Sequence, residues 1–144
     1  RGLGDVYKRQ KYISNAIIDH NIKYLPLMRT IRLVRLIVFY EVQEHELIQY
    51  ESRSITRSLS SPKEQTFKTE RIILWFLNKR NIPILKKDRE AFWEKLSPEI
   101  HELYNNKYES QLLRLFDFTA WMESKIRKEK LSEVLRARAS AKEC

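Results

Sequence analysis

PLMRTIRLVRLIVFYEVQEHELIQYESRSITRSL, residues 26–59, decides the fold. Pro26 suits the first turn of a helix, where a missing N–H has no intrahelical partner to lose. Leu27, Ile31, Val34 and Val38 then recur at spacings of 4, 3 and 4, the rhythm of one helical face. Met28, Leu33, Leu36, Ile37 and Phe39 spread apolar surface around the rest of the cylinder, while Arg29, Arg32 and Arg35 are confined to an arc of about 120°. A helix that is apolar on most sides sits between neighbours. After a polar connection at Gln43 and Glu44, a second helix runs to about Leu59 with Leu47, Ile48, Ile55 and Leu59 along one side and Arg53 and Arg57 opposite. So short a loop sets the two helices antiparallel.

Working outward, Tyr12 to Asp19 reads as the tail of an earlier helix, with a turn near His20 and Asn21. Downstream, Ser60, Ser61 and Pro62 break the chain before a helix that carries Phe67, Leu74 and Leu77 and the dense run Ile72 to Phe76. Asn81 to Pro83 ends it. The next helix contains Leu85, Phe92, Trp93 and Leu96, and Ser97, Pro98 and Glu99 form an N-cap signature that predicts a kink or a fresh helix. Asn105 and Asn106 supply a turn, since asparagine tolerates the left-handed conformation that would otherwise call for glycine. Tyr108, Leu112, Leu115, Thr119, Met122 and Ile126 keep one unbroken rhythm and predict a single long helix. Leu131, Val134 and Leu135 open a last short helix that fades into a frayed tail. The fold class expected is all-α, built of antiparallel helix pairs.

Residues 1–10, RGLGDVYKRQ, are what the tail of a common transposase sequencing adapter encodes in frame, so they are set aside as an artefactual segment. The chain is then expected to be the C-terminal piece of a larger protein, with one helical domain over 11–135 and a frayed tail over 136–144. Gly2 and Gly4 are the only glycines, which leaves the remainder without any. The formal net charge of +9 stays basic when Arg1, Asp5, Lys8 and Arg9 are removed. Hydrophobic residues at 42% and charged residues at 33% fit a folded, water-soluble helical protein rather than a disordered one. No apolar run approaches the ~20 residues of a transmembrane helix. Cys144 is the only cysteine, which excludes an internal disulfide framework and suits a reducing cytoplasm.

Helices grouped in pairs of about 35 residues with short loops are the pattern of stacked helix-turn-helix repeats. The segments YLPLMRTIRLVRLIVFYE (24–41), ELIQYESRSITRSL (46–59), ERIILWFL (70–77) and YESQLLRLFDFTAWMESKI (108–126) resemble the C-terminal region of uncharacterised bacterial tetratricopeptide-like helical-repeat proteins. The resemblance implies a short solenoid of stacked helix pairs, or an irregular helical array at the end of one, that binds other proteins without catalysis.

Chemistry is sparse. Phosphate-cradling GxGxxG and Walker loops need glycines that the natural segment lacks. His20, His45 and His101 stand outside any HExxH or carboxylate-histidine pattern and read as solvated or capping residues, so no metal or cofactor is expected. Cys144 is terminal and no serine sits in an elbow motif. Glu51 and Glu70 fall on or beside apolar stripes. A carboxylate there is either an acid of raised pKa or the partner of an arginine on a facing helix, Arg35 for Glu51 being one pairing; the second reading is favoured. Phe118 and Trp121 lie off the main stripe of their helix and either pack in the core, the simpler reading, or face a partner.

The expected function is a non-enzymatic protein-interaction scaffold with an unidentified protein partner. The alternative is a basic helical domain whose Arg29, Arg32, Arg53 and Arg57 track a nucleic-acid backbone, joined by Lys79, Arg80, Lys86 and Lys87 around a loop. A third reading makes the helices a regulatory or dimerisation region of a protein whose active domain lies upstream.

Overall fold

A computed structural model describes residues 26–59, 67–78 and 82–143. The adapter-like segment, Tyr12 to Asp19, His20, the Ser60 to Pro62 break, Lys79, Arg80 and Cys144 lie outside these residues. Seven helices make up the described chain: α1 (Pro26–Glu41), α2 (His45–Leu59), α3 (Lys68–Asn78), α4 (Lys86–Asn105), α5 (Ser110–Leu115), α6 (Phe118–Arg127) and α7 (Leu131–Glu143). The fold is all-α.

The α1–α2 turn shows how the chain manages without glycine. Gln43 adopts φ 60°, and the N–H groups of Glu44 and Gln43 donate to the carbonyls of Phe39 and Tyr40. These are the paired bonds of a Schellman cap, in which one left-handed residue stops the helix and satisfies its orphan carbonyls. Lys128, at φ 55°, ends α6 in the same way, with the N–H of Glu129 on the carbonyl of Ser124. The expected left-handed turn at Asn105 and Asn106 is not formed. Asn106 is extended, and its side-chain oxygen accepts from the N–H groups of Tyr108 and Glu109 instead.

Arg35 on α1 lies 3.3 Å from Glu51 on α2, the expected pairing, and the two positions are equidistant from Gln43, as an antiparallel pair requires. From α1, contacts run to α3, α5 and α6 as well as α2, so the chain closes on itself instead of stacking each helix only on its sequence neighbours. Leu33, Leu36 and Ile37 of α1, Ile73 and Phe76 of α3, Ile100 and Leu103 of α4, and Phe118, Trp121, Met122 and Ile126 of α6 form one continuous core.

Three sequence expectations change. Of the kink or fresh helix expected at Pro98, the fresh helix is not formed: α4 runs through the proline as a single helix of 20 residues. Beyond the proline, Ile100 and Leu103 are almost wholly buried, and this anchoring outweighs the lost backbone bond. The long helix expected from Tyr108 to Ile126 is two. Phe116 is extended, and Asp117 caps α6 by accepting from the N–H of Ala120 at 3.1 Å, so a cap interrupts an apolar rhythm that continues past it. The frayed tail from Arg136 is helical to Glu143, and Arg138 holds it to α6.

Candidate functional site

Helix α1 places its apolar side chains on two opposite faces. Leu33, Leu36 and Ile37 are in the core together with Arg29 and Thr30. Leu27, Ile31 and Val38 stay 54%, 50% and 51% exposed, and Val42 continues their line at 60%. At 100° per residue these four fall within about 60° of one another, forming a single stripe. Of the stripe Leu27, Ile31, Val34 and Val38 marked out by the 4, 3, 4 spacing, Val34 packs against the core while the other three face outward. The sequence carries a signal for two faces but none for which face is inside, because the buried face includes an arginine and a threonine that a hydrophobic count discards.

What draws Arg29 inward is Glu70. The guanidinium lies 2.7 Å from the carboxylate, both side chains are buried, and Arg29 also sits 4.9 Å from the centre of the Phe67 ring. Burial pushes the Glu70 carboxyl up from its ordinary range, while Arg29, the Phe67 N–H and the more distant Arg32 pull it part of the way back. The Phe67 N–H donates to Glu70, one half of a capping box. Glu109, 40 residues on, supplies the other half: its carboxylate accepts from the N–H groups of Lys68 and Thr69 and from the Thr69 hydroxyl. A negative charge here also suits the positive end of the α3 dipole. Tyr108, next to Glu109, stacks on Phe67 at 4.2 Å and 2°. The cluster is a structural joint between α1, α3 and the start of α5.

A second polar cluster joins α4, α6 and α7. Arg138 reaches Glu123 at 2.6 Å and Asp117 at 3.5 Å and donates to the hydroxyls of Tyr104 and Thr119 at 2.8 Å each. Tyr104 donates to Asp117 at 2.6 Å and sits close against Thr119. Burial and the Asp117 bond push the Tyr104 phenol up to about 12. Each group satisfies its neighbours, and a phenol this hard to ionise is no base near neutral pH. Among the described residues no group of three or more His, Cys, Asp or Glu side chains could hold a metal ion. His101 is exposed and bonds to Ser97 within its own helix.

The residues proposed for nucleic acid are not brought together. Arg29 is buried on Glu70 and cannot reach a phosphate, which corrects that assignment. Arg32 is half-buried beside it. Arg53 and Arg57 are exposed, one turn apart on α2, and border an open groove with Gln49, Ser52, Thr56 and Asn78. Lys86 and Lys87 are exposed at the start of α4.

Phe118 and Trp121 are in the core, so neither faces a partner. Trp121 meets Tyr40 and Phe76 edge-on at 5.4 and 5.7 Å, and its indole N–H donates to Glu41 at 2.9 Å. Burying the indole with its donor satisfied explains why so large a ring is inside. No described helix is long and apolar enough to cross a membrane. Comparison with protein-family models, with curated proteins and with solved structures returns no match to this chain.

Proposed function

We propose that the protein is a non-catalytic interaction module of the cytoplasm, an irregular helical array of tetratricopeptide-like kind that receives a protein partner on the outer face of α1. The observation that carries this reading is the exposed stripe of Leu27, Ile31, Val38 and Val42. Scattered surface leucines mean little, but a contiguous apolar stripe on a helix whose opposite face is already core is the form an uncovered interface takes. Among the described residues the two buried polar clusters are held by structural partners, Arg29 with Glu70 and Arg138 with Glu123, which supports a binding role over catalysis.

The test is affinity capture from a bacterial lysate with the wild-type chain and with a Leu27→Asp/Ile31→Asp variant of equal thermal stability. A protein retained by the first and lost from the second supports the reading. Retention indifferent to the substitutions contradicts it. Of the four arginines named for nucleic-acid binding, Arg53 and Arg57 are exposed, Arg32 is half-buried and Arg29 is buried on Glu70.

A further inference from the structure

Ile84 and Leu85, in the turn that leads into α4, are 84% and 68% exposed, more than any side chain of the α1 stripe. Lys86 and Lys87 follow directly as the first two residues of α4, both exposed and neither ion-paired among the described residues. We propose that this tip is a membrane-surface anchor: Ile84 and Leu85 enter the interfacial region of an anionic phospholipid bilayer, and Lys86 and Lys87 meet its phosphate groups.

The start of α4 is composed against the preferences of the fold itself. A helix N-cap favours Ser, Thr, Asp or Asn, but here it is Leu85, which makes no side-chain cap bond. The first turn of a helix is its positive end and favours carboxylates, yet α4 opens with two lysines. Asp88 and Glu90, the nearest acids in sequence, come about 3 and 6 Å farther along the axis than Lys86, so the lysines are closer to the aliphatic tip. Departures of this kind collect where a sequence answers to something outside the fold. The turn is nonetheless held in place. Ile82 packs against the core, and the Arg89 guanidinium donates to the carbonyl of Ile84, so little ordering cost remains for binding.

Size and charge select a bilayer over a protein. A stable protein interface covers about 800 Å² on each side, far more than two adjacent aliphatic side chains followed by lysines and acids can supply. A bilayer demands no matching shape. Aliphatic side chains beside lysines are the composition of reversible interfacial anchors, in which the lysine stems lie along the acyl boundary while their ammonium groups stay with the phosphates. The formal net charge of +9 draws the chain toward an anionic surface at longer range. A nucleic acid would use the lysines and leave both aliphatic side chains in water. The anchor lies on a different surface from the α1 stripe, and the two readings can fail separately.

Co-sedimentation of the full chain with vesicles tests it, comparing phosphatidylcholine that contains about a third phosphatidylglycerol with phosphatidylcholine alone. Weak binding to the anionic vesicles that falls as salt is raised is expected, with little binding to the neutral ones. Ile84→Ser/Leu85→Ser keeps the net charge and should lower the partition about tenfold or more. Lys86→Gln/Lys87→Gln should lower it about tenfold or more on the anionic vesicles. All four positions are exposed, so both variants should keep the wild-type circular dichroism and melting temperature. Leu27→Ser/Ile31→Ser should partition as the wild type does, which separates the tip from the α1 stripe. Anionic-vesicle binding indifferent to Ile84→Ser/Leu85→Ser would be adsorption by net charge alone and would overturn the proposal. Two other results would overturn it: no vesicle binding by the folded wild-type chain, or self-association in solution that the same substitutions abolish, which would give the tip to a second copy.

Discussion

Leu33, Leu36 and Ile37 on one face of α1 are sealed into the core, whereas Leu27, Ile31 and Val38 on the opposite face remain half exposed. The two sets are alike in size and hydrophobicity, so burial of apolar area alone does not choose between them. The polar groups beside them differ. On the inner face Arg29 meets Glu70, and at the C-terminal end of α1 Glu41 receives the Trp121 indole and lies 2.5 Å from Lys125. Beside the outer stripe, among the described residues, the ion pair to another helix is Arg35–Glu51, in which the Arg35 side chain is 62% exposed. A rotation of α1 that buried Leu27 and Ile31 would strand Arg29 and Glu70, and the cost of an unpaired buried charge exceeds what either leucine set contributes by being the one inside. In this protein the polar anchors set the face and the apolar side chains fill it.

The largest effect expected is from breaking that anchor. Glu70→Ala removes the buried carboxylate that faces the Arg29 guanidinium and should cost about 3 to 5 kcal/mol in urea unfolding, whereas the joint replacement Arg29→Met/Glu70→Leu should recover most of it. A loss under about 1 kcal/mol for the single substitution would remove the anchor from the explanation. Next comes the long-range cap on the same joint. Glu109→Ala frees two amide donors and a hydroxyl at the start of α3 and should cost about 2 kcal/mol, with faster hydrogen exchange at Lys68 and Thr69 as its local signature. Unchanged exchange there would mean that the cap is redundant.

The α7 anchor is wetter, with the Arg138 side chain a quarter exposed, and Arg138→Ala should cost only about 1 to 2 kcal/mol. The smallest effect is a pH effect at the same place. The folded-state pKa of Tyr104 is raised from 10.0 to about 12. For an acid raised in this way the folded state keeps its proton longer than the unfolded chain, so the contribution is complete below about pH 10 and is lost as the pH climbs toward about 12. Circular dichroism during alkaline titration should show a decline over that window that Tyr104→Phe flattens. A decline of equal size in the variant would assign it to other groups.

Much of this was legible in the residues. The bounds of α1, the antiparallel α1–α2 pair and the Arg35–Glu51 contact follow from periodicity and loop length. Periodicity failed where a polar residue outranked it. It grouped Arg29 with Arg32 and Arg35 on one arc and so gave no sign that Arg29 is buried while Leu27, Ile31 and Val38 face outward. It also ran one helix from Tyr108 to Ile126 because leucines and methionines keep their rhythm across the Asp117 cap. At Pro98 the fresh-helix alternative is not formed, as burial of Ile100 and Leu103 holds α4 together across it.

The assignment of the two faces of α1 is tested most directly by introducing the same charge on each and measuring equilibrium unfolding. Ile31→Asp should leave stability within about 0.5 kcal/mol of wild type, as an exposed substitution does, while Leu33→Asp should abolish the cooperative transition. If Ile31→Asp unfolds the protein as Leu33→Asp does, the outer stripe is already covered within the folded chain and is not a surface left for a partner.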